Sequence, residues 1–262
     1  MATAIISDVH SNLEALTAVL QDIDQRANID RIVCLGDIIG YGPNPIECVS
    51  LIEQRCEWSL MGNHDFGVLY EPTNFNLDAE RAAYWTREQF ETIQDPATKR
   101  RIYDFLNRLR VRVVEKSNAL AAGKPLLAVH GSPRRPINEY IFPDDAINAP
   151  DKLTAIFEQI EGVAFVGHTH VPGVFTDEPD FYAPSEVGDN NAYRFRENEK
   201  VIVNVGSVGQ PRDYDPRASY AILDEEQVTF IRVEYDIPAA SGKIRAVPQL
   251  TDRLADRILE GR

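Results

Sequence analysis

Trp58-Ser59-Leu60-Met61-Gly62-Asn63-His64-Asp65 is the stretch that decides the fold. A short apolar run empties into a glycine, where the backbone can turn sharply, and then into an amide, an imidazole and a carboxylate in succession. Four further runs repeat the arrangement: Ile5-Ile6-Ser7-Asp8-Val9-His10, Val33-Cys34-Leu35-Gly36-Asp37, Leu127-Ala128-Val129-His130-Gly131 and Phe165-Val166-Gly167-His168-Thr169-His170. All five histidines of the chain lie in such runs. In α/β sheets, ligands collect at the carboxyl ends of strands, where loops can vary without touching the core. Five strand ends carrying metal-capable side chains are what one sheet crevice can gather.

Working outward, the spacing predicts a first strand over 3–7 and a helix over 11–25. Ser11-Asn12-Leu13-Glu14 has capping-box spacing, and Leu13, Leu16, Val19, Leu20 and Ile23 recur at helical intervals. A second strand over 31–35 leads to the glycine-rich loop 36–43 and to a helix opened by Pro45, since proline suits a first helical turn. Residues 66–75 carry no clear period and read as irregular. Helices are expected over 78–92 and 95–109, a hairpin of 112–114 with 119–122, and strands over 125–129 and 163–166. A helix opens near Pro150 between those two strands, and 132–149 reads as loop. From Val171 the pattern becomes strand-rich: 174–175, 181–182, 193–195, 201–204, 220–223 and 228–233. An insertion hairpin is expected near 180–200. The tail 236–262 reads as helical, with a polar break at Ser241-Gly242 and a last amphipathic helix through Leu250, Leu254 and Ile258.

The 262 residues are within the range of one α/β domain of mixed α+β character, with 44% hydrophobic and 26% charged residues. No stretch approaches the roughly 18 consecutive apolar residues of a membrane span. The N-terminal Met1-Ala2-Thr3-Ala4-Ile5-Ile6 lacks the basic region and long apolar stretch of a signal peptide, so the expectation is a cytoplasmic protein without membrane partners. Cys34, Cys48 and Cys56 make an odd number without metal-type spacing and read as reduced thiols. The net charge of −14 opposes sequence-independent binding to nucleic acid, which needs clustered Lys and Arg. It would also repel an anionic substrate unless cations were fixed at the site.

Asp8, His10, Asp37, Asn63, His64, His130, His168 and His170 are the candidate site residues. A nitrogen and oxygen set without thiolate suits Mn, Fe, Zn, Co or Ni better than Ca. Eight candidates exceed one tetrahedral ion. Two divalent ions about 3.5–4 Å apart, bridged by a carboxylate and holding a hydroxide between them, would use the set and would suit in-line attack on phosphorus. Taken singly, Asp-x-His and His-x-His also occur as surface or hydrogen-bonded pairs, and Gly36-Asp37 as turn chemistry. The conjunction of all five runs is what separates the two readings.

The order Asp-x-His, Gly-Asp, Gly-Asn-His-Asp, His-Gly, Gly-His-x-His resembles the calcineurin-like metallophosphoesterases, from residue 3 to about 220. Gly36 to Pro43 together with Gly206-Ser207-Val208-Gly209-Gln210-Pro211-Arg212 resembles its compact bacterial branch, which includes small phosphodiesterases. The resemblance implies a four-layer αββα sandwich, two mixed β-sheets flanked by helices. It also implies that Asp8, His10, Asp37 and His170 bind one metal and that Asp37, Asn63, His130 and His168 bind the other. Asp37 would be the bridge, and His64 would stand near the leaving group. One departure is visible: the protein phosphatases of this superfamily carry Asp and Arg where this chain has Gly40 and Tyr41. Arg212 is therefore the candidate to hold phosphate, with a surface arginine on a turn as the alternative and Arg134 as a weaker candidate. Tyr41 would stack on or hydrogen-bond the substrate, or pack on Pro43. The expected activity is hydrolysis of a small phosphodiester or nucleotide. The competing expectations are a monoester or protein serine/threonine phosphatase, and a binding scaffold that keeps the fold without turnover. A homo-oligomer is left open.

Overall fold

The computed structural model describes residues 2–116 and 121–262. The chain runs β1 (Ala2–Ile6), α1 (Leu13–Asp24), β2 (Ile29–Cys34), α2 (Pro45–Arg55), β3 (Trp58–Ser59), α3 (Asn63–Leu69), α4 (Leu77–Glu91), α5 (Pro96–Leu106), β4 (Arg112–Glu115) and β5 (Leu126–Val129). It continues with α6 (Asp145–Asn148), α7 (Pro150–Phe157), β6 (Val163–Val166), β7 (Gly173–Thr176), β8 (Asp180–Tyr182), β9 (Ala192–Arg194), β10 (Val201–Asn204), β11 (Ala218–Leu223), β12 (Gln227–Val233), α8 (Ile237–Arg245) and α9 (Asp252–Glu260).

The strands form two six-stranded mixed sheets, β3-β2-β1-β11-β12-β9 and β4-β5-β6-β10-β7-β8. Central strands are buried on both faces and read as continuous apolar runs, but their alternation still sorts side chains between layers. Ile5, Leu126, Ala128, Val163 and Phe165 point into the core between the sheets. Ala4 and Ile6 pack outward with Leu16, Val19 and Ile52 of α1 and α2. Leu127, Val129, Ala164 and Val166 meet Leu153, Ile156 and Phe157 of α7 on the opposite side. The result is an αββα sandwich of four layers. Truncating Phe165, which is 2% exposed in the central layer, should cost about 3–5 kcal/mol.

Several local expectations are corrected. Ser11 does not cap α1, because it belongs to the turn after β1 with φ 54; Asn12 caps instead, accepting from the Ala15 amide at 3.1 Å. Residues 66–69 of the stretch expected to be irregular are helical and complete α3, whose buried residues, Asn63, His64, Asp65, Gly67 and Val68, include a single large apolar side chain and so carry no apolar period. β4 pairs antiparallel with β5, and residues 121–123 form a short 3-10 turn; residues 119 and 120 of the expected hairpin strand lie outside the described residues. The stretch 180–200 is not a hairpin. β8 pairs with β7 in one sheet and β9 with β12 in the other, where Tyr193 is buried in the inter-sheet core. Ser241 and Gly242 do not break the tail but lie inside α8, with Ser241 buried. Cys34 is buried in β2, and Cys34, Cys48 and Cys56 are all free thiols. Among the described residues no helix is long and apolar enough to cross a membrane.

Candidate active site

β1, β2, β3, β5 and β6 bring Asp8, His10, Asp37, Asn63, His130, His168 and His170 to one edge of the sandwich, each within four residues of its strand's end. The turns that deliver them are strained. Asp8, His10, Asp37, His168 and His170 all have positive φ, between 48 and 68, where a side chain costs roughly 1–2 kcal/mol. Backbone bonds tie these turns together: Asp8 N donates to Gly36 O at 3.0 Å, His10 N to Asp37 O at 3.0 Å and Gly167 N to His130 O at 2.9 Å. Gly62 is required because a Cβ there would collide with the Asp37 carboxylate.

Two buried groups result, Asp8 with His10, Asp37 and His170, and Asp37 with His130 and His168. In the first, His10 Nε2 stands 3.0 Å from His170 Nε2, which is 3.2 Å from Asp8 Oδ1; His10 Nε2 is 3.7 Å from Asp37 Oδ2. In the second, His130 Nε2 is 3.3 Å from the same Asp37 oxygen, 3.3 Å from Asn63 Oδ1 and 3.2 Å from His168 Nδ1. Asp37 Oδ2 is therefore common to both. Its other oxygen accepts from the His64 amide at 2.8 Å.

The donor chemistry tests whether metal ions fit. His10 Nδ1 lies 3.3 Å from Ile39 O, His170 Nδ1 2.6 Å from Gln210 O, and His130 Nδ1 3.0 Å from Leu35 O. A carbonyl oxygen only accepts, so each ring donates from Nδ1. Burial opposes it, but the Asp37 carboxylate raises His130 to about 9, so with no cation present its Nε2 holds a proton toward Asp37. His10 and His170 instead present a bare lone pair at Nε2. Burial pulls His10 and His170 below the usual histidine value, which keeps them neutral. Two such lone pairs 3.0 Å apart, with carboxylates beside them, repel unless a cation lies between. Ligand atoms about 2.1 Å from one ion stand roughly 3.0–3.4 Å apart, which matches all the pairs given except His10 Nε2 with Asp37 Oδ2, at 3.7 Å. The residues fit two divalent ions sharing Asp37.

Around this floor the remaining candidates take different places. His64 is buried, with its ring 4.3 Å from Tyr41, 4.6 Å from Phe75 and 4.9 Å from His10. Its Nδ1 has no partner and packs on Gly40, where any Cβ would approach to 2.6 Å. An aspartate at position 40 would strike this ring, so the phosphatase-type pairing has no room. Burial pulls His64 down to about 4, the Asp37 charge opposing and the Arg212 charge adding. Asp65 does not support it: its carboxylate accepts from the amides of Gly62, Ile38 and Ile39, stapling two site turns together. Burial, reinforced by Asp37, raises Asp65 to about 7.

Arg212 sits on the rim. Its amide donates to His170 O at 3.2 Å, its guanidinium to Gln210 Oε1 at 2.7 Å, and its Cζ lies 5.9 Å from the Tyr41 ring centre. Arg134 is engaged elsewhere, bonding Glu139 through Nε at 3.1 Å and Nη2 at 2.5 Å, so it is not available to phosphate. Tyr41 is buried between His10, His64 and the C-terminal helices. A cleft of about 170 Å³ opens over the floor, lined by Tyr41, Asn63, His64, Phe75, Tyr140 and His168 among others. Sequence reasoning missed Tyr140 and Phe75. Tyr140 stacks on His168 at 3.7 Å and 16°, and on Phe142 at 5.1 Å. The signal available was two aromatic residues, Tyr140 and Phe142, in a loop that otherwise needs none.

A two-sheet α/β sandwich carrying a two-metal His/Asp site at its strand ends defines the class, a metal-dependent phosphoesterase. The chain belongs to the calcineurin-like phosphoesterase superfamily, whose domain matches residues 1–228. It is similar to a metallophosphoesterase of Sphaerobacter thermophilus, with a TM-score of 0.79 and 35% identity over 100% of this chain and 99% of that one. A hypothetical protein of Pyrococcus horikoshii shares the fold, with a TM-score of 0.75 and 19% identity over 100% and 98% of the two chains. An uncharacterized protein of Methanocaldococcus jannaschii is 40% identical over 99% of this chain and 98% of its own length. A shorter match, 30% identical over 82 residues and 30% of each chain, is to a symmetrical bis(5'-nucleosyl)-tetraphosphatase of Psychromonas ingrahamii.

Proposed function

We propose that this phosphoesterase hydrolyses small phosphodiesters or nucleotides rather than phosphoproteins. The observation that carries the reading is the pair of buried ligand sets sharing Asp37 Oδ2, set beneath a narrow cleft of about 170 Å³. The absence of room at Gly40 for a phosphatase-type aspartate, and the local likeness to a bis(5'-nucleosyl)-tetraphosphatase, support it.

Asp8, His10, Asp37 and His170 would hold one divalent ion, and Asp37, Asn63, His130 and His168 the other. When bound, such ions polarise the phosphoryl oxygens and lower the pKa of an attacking water. The chain's own residues do the rest. Backbone carbonyls of Ile39, Leu35 and Gln210 fix the imidazole tautomers so that lone pairs point inward. His64, neutral and free of a carboxylate, would donate a hydrogen bond from its ring N–H to the leaving oxygen, stabilising the charge that develops there while water supplies the proton. Arg212 is placed to bind a non-bridging phosphate oxygen, its fork matching the oxyanion. Tyr41 and Phe75 hold the His64 ring in place.

The test is turnover of bis-p-nitrophenyl phosphate against p-nitrophenyl phosphate by protein loaded with Mn²⁺. The expected result is a higher kcat/KM on the diester. A monoester preference would return the site to a phosphatase reading, and no turnover of either would favour a scaffold.

A further inference from the structure

The loop Gly206 to Arg212 is stitched along its length to the turn that carries Asp8. Val208 N donates to Ser7 O at 2.9 Å, Gly209 N to Asp8 O at 2.9 Å, and Ser207 Oγ to Asp8 O at 2.8 Å. A Cβ at Gly209 would collide with Val9 O, so glycine is what lets the two backbones approach this closely. Ser207 Oγ also accepts from Gln210 N at 2.8 Å, which extends the frame to Gln210.

Gln210 is 1% exposed and bonds in two directions. Its backbone carbonyl accepts from His170 Nδ1 at 2.6 Å, and its side-chain Oε1 accepts from Arg212 Nε at 3.2 Å and Nη2 at 2.7 Å. Both guanidinium atoms are donors, so only the amide oxygen can face them. Arg212 is restrained twice more, its backbone amide on His170 O at 3.2 Å and its Cζ over the Tyr41 ring at 5.9 Å. The planar fork of a guanidinium has a side edge, Nε with Nη2, and an end edge, Nη1 with Nη2. Gln210 takes the side edge. Among the described residues Nη1 has no hydrogen-bond or ion-pair partner, so the end edge stays open. A glutamate at position 210 could make the same two bonds, but it would also pair with the charge. The amide makes them and leaves the charge uncompensated, in a chain where 41 acidic residues outnumber 27 basic ones.

We propose that Gln210 is the positioning residue of the anion site. It locks Arg212 by the side edge and presents the end edge, with its full charge, to two oxygens of a phosphoryl group. Because the same residue holds His170 through its carbonyl, one loop sets the placement of the anion clamp against the ligands Asp8 and His170. The inference rests on the phosphate-binding role given to Arg212 above and goes beyond it.

The experiment is calorimetric binding of inorganic phosphate to Mn²⁺-loaded protein, with metal content followed by elemental analysis. Gln210→Leu, which keeps the bulk and loses the oxygen, should bind phosphate about tenfold more weakly with metal content at the wild-type level. Placed in an Arg212→Ala background, the same substitution should add no more than about twofold, because a residue acting through Arg212 then has nothing to act on. Gln210→Ala repeats the cycle if the leucine variant does not fold. Gln210→Glu, similar in size and able to keep both bonds, should also weaken phosphate about tenfold, since its carboxylate cancels the charge that the amide leaves free. A merely structural Gln210 gives the opposite pattern, wild-type affinity in Gln210→Glu and a leucine penalty that persists without Arg212. Either of those results, or loss of metal in Gln210→Leu, overturns the proposal. Phosphate affinity unchanged in Arg212→Ala, or no phosphate binding by wild type, overturns it together with the phosphate role of Arg212. Because binding is read without turnover, an inactive wild type sinks the phosphodiester reading and leaves the cycle to decide this one.

Discussion

The floor and the wall of the active site are put together in different ways. Seven floor residues, Asp8, His10, Asp37, Asn63, His130, His168 and His170, follow directly from strand ends, and their turns are bonded to one another through the backbone. The wall residues Tyr41, Phe75, Tyr140 and Arg212 come from separate loops, and they reach the site through side-chain packing. A floor held by backbone and by strained turns keeps one geometry, because every φ is fixed by what the strands impose. A wall held by side-chain packing can change residue by residue without moving the floor. The sandwich thus fixes the geometry of the two ligand groups, and the loops fix the shape of the cleft above them.

If this division holds, floor substitutions should remove metal and wall substitutions should not. Asp37→Ala has the largest expected effect, since it deletes the oxygen common to both ligand sets. Elemental analysis should find both ions depleted and kcat/KM should fall by at least about 10³-fold. Two ions per chain with activity retained would sink the bridging role. His64→Ala comes next, on the border between floor and wall. Alkyl and ribose esters should slow by about 10²-fold or more and p-nitrophenyl esters much less, because only a basic leaving group needs help. Equal losses on both would make His64 a support for the metal site. Arg212→Ala should lower kcat/KM by about tenfold while metal content stays at the wild-type level. A fall in bound metal would place Arg212 with the floor instead. Tyr140→Leu is the smallest and sharpest case, a wall residue stacked on a floor residue. Loss of that stacking, worth about 0.5–1.5 kcal/mol, should weaken metal retention by a few-fold in a chelator titration. No change in retention would mean that the stack serves only the substrate.

The same division explains what could be read from the sequence. Every floor ligand stands beside a glycine, an aspartate or a second histidine just after an apolar run, and the eventual strands coincide with those runs to within two residues. The wall gave no such cue. α3 escaped because it is seven residues long and its first turn, Asn63, His64 and Asp65, is buried but polar, which leaves Val68 as its one fully buried apolar side chain. Tyr140 escaped because a loop has no period against which an aromatic residue stands out. The stretch 180–200 looked like a local hairpin because β8 and β9 are short and close in sequence. Their partners β7 and β12 lie in opposite sheets, a long-range fact that local patterning does not encode.

The pairing of β1 with β11, Thr3 against Leu223, sets a timetable for the site during synthesis. At roughly 5–20 residues per second, Asp8 and His10 leave the ribosome some tens of seconds before the strand that must lie beside them. Through that interval β1 can pair with β2 but has its other edge open, and the carboxylates and imidazoles behind it have no fixed geometry. His168 and His170 also arrive late, only about fifty residues ahead of β11. Both ligand groups are therefore complete only once His170, the last of them in the chain, has been made.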